Sequence, residues 1–280
     1  MTSPPGPFLE GKGSLRTGAI AESGRRSAQP PVASDRIIYG CDNEEEHMEQ
    51  IVPFADDRLL AGCVYCGGVE SLTRDHVPSK VLLDEPFPDN LPVVPACDAC
   101  NQSFSSDELY FACVLESVVS GGELSRMRPR IARRLKDMPD LRARVEASRV
   151  RSADGRLIHQ VEVQRVRSVL LKLARGHVAY ELSEPHAEDP AHVRFSPIED
   201  WTDSEMKAFI TPPTSQAAQV WPEIGSRAFI LRAAGNPAVA SASWFVVQHG
   251  RYQYMAEVGR AGTLVRMLIR DYLAAEVIWE

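Results

Sequence analysis

The chain has 280 residues, 44% of them apolar and 25% charged, with a formal net charge of −7. That is enough apolar material for a core without disulfide staples, and six cysteines are too few for a disulfide scaffold. No run approaches the ~18 apolar residues of a membrane span, and Met1 to Pro7 lacks the apolar core of an export signal. A cytoplasmic protein with reduced thiols and no membrane partner is therefore expected.

Residues 1–34 are rich in Pro, Gly, Ser and Ala, too poor in large apolar side chains to offset ordering entropy, and are expected to be disordered. Within them Gly6 to Gly13 approaches a phosphate-binding loop. It ends in Gly13 where the magnesium-holding hydroxyl belongs, and no strand can precede it. Residues 35–58 read as a linker or short strand (Asp35 to Gly40) with the acidic run Glu44-Glu45-Glu46. Residues 59–123 are dense in Cys, Asp, Asn and Pro, the texture of a small metal-organised domain. There Ser105-Ser106-Asp107-Glu108 has the form of a capping box. It predicts a helix from about Ser106 to a stop at Gly121-Gly122, with Glu108 as the capping partner.

Residues 124–280 read as a mixed α+β domain. Its first part, 126–151, carries ten cations against three anions, so the rest of the chain holds −14. Pro129 and Pro139 divide this stretch into helical pieces. Leu157 to Val163 alternates like a strand, and Val166 to Tyr180 has helical spacing. Trp244 to Gln248 and Arg251 to Ala256 predict a hairpin turning at His249-Gly250. Thr263 to Trp279 leaves strand and buried helix both open.

Cys63-Val64-Tyr65-Cys66 and Cys97-Asp98-Ala99-Cys100 are two C-x-x-C pairs. The short spacing lets both thiolates of a knuckle reach one tetrahedral zinc, and two pairs close its coordination. Such a zinc is structural, because no position stays open for substrate. The 30 residues between the pairs exceed the ~15–20 of simple zinc modules, so the gap must carry something more.

The gap holds Thr73-Arg74-Asp75-His76-Val77-Pro78 and Asp89-Asn90-Leu91-Pro92, and Asn101 follows the last cysteine. This ordered set resembles the HNH endonucleases of the zinc-stapled, treble-clef-like ββα-metal type, in an H-N-N version made by His76, Asn90 and Asn101. The resemblance covers about Leu59 to Ser120. It implies a metal-dependent endonuclease hydrolysing phosphodiester bonds of nucleic acid, DNA first. His76 would be the general base, and Asn90 would orient it or tie down its loop. Asp75 and Asn101 would hold one Mg2+ or Mn2+, an ion suited to oxygen ligands. In a regular strand Asp75 and His76 point to opposite faces, so converging on one phosphate would need a twist or bulge. One departure is Gln102-Ser103-Phe104, where many family members carry a basic residue. Arg126, Arg130, Arg133 and Arg134 are the expected backbone grips on double-stranded DNA, and a homodimer would suit double-strand cleavage.

Each residue also has a plainer reading. His76 could be an ordinary strand histidine, Asp75 the partner of an arginine, Asn90 a turn residue and Asn101 a helix cap. Asp107 could reach a metal through water, and Cys113 belongs to the core side of its helix. Trp244, Tyr252 and Tyr254 fit packing better than base stacking. The rival function is a non-catalytic zinc module that binds nucleic acid or a protein.

Overall fold

The structure, a computed structural model, describes residues 19–21, 61–88, 91–151, 157–211, 223–234, 244–259 and 262–280. The expected strand at Asp35 to Gly40, the acidic run after it, Cys41 and Asn90 lie outside these residues. The protein is a mixed α+β chain. Its elements begin with β1 (Ala19–Ala21), β2 (Leu72–His76), β3 (Val93–Cys97) and α1 (Asp98–Val119). Next come α2 (Pro129–Asp137), α3 (Pro139–Ala147), β4 (Arg149–Arg151), β5 (Leu157–Gln160) and α4 (Val163–Leu182). The chain continues through β6 (His192–Pro197), α5 (Asp203–Ile210) and α6 (Arg227–Ala233) to β7 (Phe245–Gln248), β8 (Tyr252–Gly259), β9 (Gly262–Ile269) and β10 (Leu273–Trp279).

Pro129 and Pro139 begin α2 and α3 instead of breaking a longer helix, because a first-turn proline lacks only an N–H that would be unpaired anyway. α1 starts two turns before Ser106. The Cys97 thiol accepts the Cys100 backbone N–H at the helix entrance, so the second cysteine knuckle nucleates the helix. The capping-box reading of Ser105 to Glu108 is thereby corrected: these residues are interior, and Glu108 turns inward. The expected stop holds, with Gly121 and Gly122 at φ 65° and 77° and the Gly122 N–H bonded to the Ser117 carbonyl.

Among the described residues three antiparallel sheets result: β2–β3, β1–β5–β4, and a five-stranded sheet in the order β6–β10–β9–β8–β7. The segment Thr263 to Trp279 resolves into the hairpin β9–β10, turning at Arg270 and Asp271, both in the left-handed region. α4 is the hub, buried along most of its length between α1 and the large sheet. One apolar cluster joins Tyr110, Phe111 and Leu115 of α1 to Leu170 and Leu173 of α4 and to Tyr252, Met267 and Val277 of the sheet. The expected boundary near residue 123 is therefore no break in the core. Tyr252 and Tyr254 belong to it, each about as buried as a side chain can be. Among the described residues no helix is long and apolar enough to cross a membrane.

Candidate metal centre and neighbouring histidine

The four thiols of Cys63, Cys66, Cys97 and Cys100 lie within 4.8 Å of one another, and no other group of three or more His, Cys, Asp or Glu ligands gathers so among the described residues. A zinc with ~2.3 Å bonds to sulfur needs tetrahedron edges of ~3.8 Å. The Cys66 and Cys97 sulfurs are 3.7 Å apart, so the set fits zinc. The first knuckle is shaped by its backbone. The Gly67 N–H bonds to the Cys63 carbonyl and the Cys63 N–H to Gly68, with Gly67 at φ 74°, where a side chain would be strained. The Val64 N–H reaches the Pro95 carbonyl and so fastens this knuckle to β3. The Cys97 thiol is lowered to about 7 by the Cys100 backbone N–H while burial raises that of Cys100, so without a metal the cluster's negative charge settles first on Cys97. Cys113 is fully buried inside α1 and its thiol is pushed up to about 12 by burial, in keeping with a core residue.

The space between the knuckles is filled by β2 and β3, paired without a bulge from Leu72↔Cys97 to His76↔Val93. Strand alternation then puts Thr73 and Asp75 on the face turned to the helices, and Arg74 and His76 on the other. The bulge that would converge Asp75 and His76 is absent from this pairing.

Asp75 is 7% exposed. Its Oδ2 accepts the Tyr65 hydroxyl at 2.7 Å and lies 2.8 Å from Nζ of Lys172, while its Oδ1 is 3.1 Å from the same ammonium. Lys172, on α4 and 1% exposed, also bonds Ser79 Oγ at 3.1 Å and pairs with Glu108, which accepts the Ser79 hydroxyl as well. Tyr65 packs edge-on against Phe104 at 5.2 Å, and its phenol is held protonated by burial and by Asp75. Asn101 donates its side-chain N–H to Thr73 Oγ1 at 3.2 Å. It thus stands near β2 on the Asp75 side, bonded to a hydroxyl.

A divalent ion held by Asp75 and Asn101 does not fit this arrangement. Both Asp75 oxygens already face donors, one of them a full cation, whereas Mg2+ demands six oxygens at ~2.0–2.1 Å and keeps several waters. Asp107, the other acidic candidate, pairs with Arg165 at 3.3 Å.

His76 is half-buried at the end of β2, with the exposed side chains of Arg74 and Lys80 nearby in sequence. Its Nδ1 is buried without a hydrogen-bond partner among the described residues. Burial first, then the charge of Lys80, lowers its pKa, so the imidazole is neutral at pH 7. The loop beyond it carries Lys80 over the Phe87 ring at 5.5 Å and leads to Glu85, which pairs with Arg130 at 3.5 Å.

The basic stretch divides. Arg128, Arg142 and Arg144 serve Glu116, Glu146 and Glu162, and Arg126 pairs with Glu123. Arg133 and Arg134, exposed on α2, make no ion pair among the described residues. With Arg130, Pro129, Glu85 and Asp137 they line an open groove of about 490 Å³.

Neither protein-family models, nor curated proteins, nor solved structures give any match to the chain.

Sequence reasoning passed over Lys172, Tyr65 and Ser79. Lys172 had a signal: it stands alone in the apolar helical run Val169-Leu170-Leu171-Lys172-Leu173-Ala174, and a lysine on a buried face must find a carboxylate.

Proposed function

We propose that the chain is a zinc-clasped hydrolase of nucleic-acid phosphodiester bonds, with double-stranded DNA as the expected substrate and His76 as the general base. The hairpin-then-helix order of β2, β3 and α1, stapled by the cysteines, supports the ββα reading of the motif. One observation carries the reaction: a half-exposed imidazole, kept neutral at pH 7, stands two residues from exposed Arg74 with Lys80 close by. Such a group can take a proton from water as the resulting hydroxide attacks phosphorus. Arg74 and Lys80 would face the charge that develops on the phosphate oxygens, and the P–O bond opposite the incoming hydroxide breaks, its leaving oxygen taking a proton from solvent water. A zinc held by Cys63, Cys66, Cys97 and Cys100 would fasten the hairpin to the helix and take no part in the chemistry. A positioned general base contributes ~10²–10⁴-fold. His76→Ala is expected to slow plasmid nicking at least ~100-fold while zinc content and circular dichroism persist. Equal rates in the two proteins would end this reading.

A second reading, a zinc module that grips nucleic acid without cutting it, is favoured by one observation: the Asp75 carboxylate is already neutralised by Lys172. Retention of DNA on a purified protein that nicks no substrate with any divalent ion would decide for it.

A further inference from the structure

We propose that Lys172 is the resident cation of the Asp75 centre, standing in for the divalent ion that the sequence motif calls for, so that zinc is the only metal the site uses. The inference deepens the ββα reading and rests on it for the meaning of the site, but its geometry stands apart from whether DNA is cut.

An ammonium has three protons to donate. Here Asp75, Ser79 and Glu108 provide acceptors from β2, the turn after it and α1, so the donor set of Nζ is filled. Tyr65 satisfies Asp75 from a further direction, and the Phe104 ring lies 5.8 Å from Nζ. Lys172, Asp75 and Ser79 are 1%, 7% and 5% exposed, which leaves no room for the water shell a magnesium ion keeps. Nor is this a surface lysine free to swing away. One turn later on the same face of α4, Gly176 lies against Val77, fixing the helix at the distance that delivers Nζ to Asp75. The two carboxylates are thus brought together by a cation built into the chain.

The test is manganese binding by the full-length zinc-loaded protein, followed by the paramagnetic resonance of Mn2+ alone. Wild type is expected to take up no Mn2+ that depends on Asp75, whereas Lys172→Ala, which removes the charge and frees the volume of the stem for an ion and its waters, is expected to bind one Mn2+ per chain and to melt higher in its presence. Stoichiometric Mn2+ uptake by wild type, abolished in Asp75→Asn, would overturn the proposal. So would a folded Lys172→Ala that gains no Mn2+. If Lys172→Ala does not fold, the comparison of wild type with Asp75→Asn still decides. Nicking in a chelator too weak to strip four-thiolate zinc is expected to continue. A protein that never nicks would count against the nuclease reading and leave the manganese result standing.

Discussion

Gly176 of α4 and Val77 after β2 touch so closely that a Cβ on Gly176 would lie 2.5 Å from Val77 Cγ2 and 3.0 Å from Cγ1. Val77 is fully buried and β-branched, so its methyls have no easy way to turn aside. Alanine would gain up to ~1 kcal/mol in helix propensity but overpacks the contact, which costs ~1–3 kcal/mol. Gly176→Ala is therefore expected to lower unfolding stability by ~1 kcal/mol, read from urea denaturation. A more stable variant would contradict the packing described.

The thiol cluster predicts one zinc per chain. Cys66→Ser or Cys100→Ser should lose the metal and loosen the entrance of α1, which depends on the second knuckle. Cys113→Ser should keep full zinc content, because that thiol lies inside α1 and away from the cluster. Metal analysis of the purified variants separates these outcomes.

The rate of hydrolysis should follow deprotonation of His76. Its folded pKa lies below the ordinary value near 6.5, so activity should rise with pH along a limb centred below that value and be level at pH 7. Lys80 contributes to the lowering, so Lys80→Met should move the limb upward in pH. A limb that stays put, or moves down, would separate His76 from the reaction.

Stability should fall in mild acid for a separate reason. His159 on β5 is buried beside Ser148 Oγ at 3.0 Å, and burial lowers its pKa to about 4. The unfolded chain, with a histidine near 6.5, binds more protons between these values, so stability is full above ~6.5 and drains away down to ~4. The loss is on the order of 3 kcal/mol at 1.36 kcal/mol per pH unit. His177, fully buried and stacked on Tyr254 at 3.6 Å, is lowered in the same direction. His159→Gln should flatten this part of the stability–pH curve.

For the α2 groove, the arginines that serve internal carboxylates and those that do not give different expectations. Arg133→Ala with Arg134→Ala should weaken DNA binding and reduce the salt slope by up to ~2, at ~0.9 per phosphate neutralised. Arg142→Ala, whose partner is Glu146 on its own helix, should leave that slope unchanged. Filter binding across a salt series reads both.

The cysteine knuckles, the hairpin at His249-Gly250, the α4 helix and the Gly121-Gly122 stop were legible in the sequence because each depends on local spacing or backbone freedom. Glu108 was misread for the converse reason. A Ser-x-x-Glu run looks the same whether it caps a helix or lies within one, and only the thiol of Cys97 decides where α1 begins. Thr263 to Trp279 was ambiguous because β9 and β10 are both largely buried, which erases the alternation that marks a half-exposed strand. The pairing of Asp75 with Lys172 spans 97 residues, a separation over which spacing carries no information.

Glu116 of α1, 2% exposed, accepts the Arg128 backbone N–H at 3.0 Å and pairs with Arg128 at 2.6 Å and with Arg270 of the β9–β10 turn at 3.1 Å. Arg270 and Arg128 also approach Asp84 in the loop that leads away from His76. A cassette excised around residues 59–123 would abandon this carboxylate without its guanidinium partners, a loss on the order of 3–5 kcal/mol for a buried pair. The cysteine-stapled unit is thus not portable: transplanted into another scaffold, it would need the distal hairpin carried along with it.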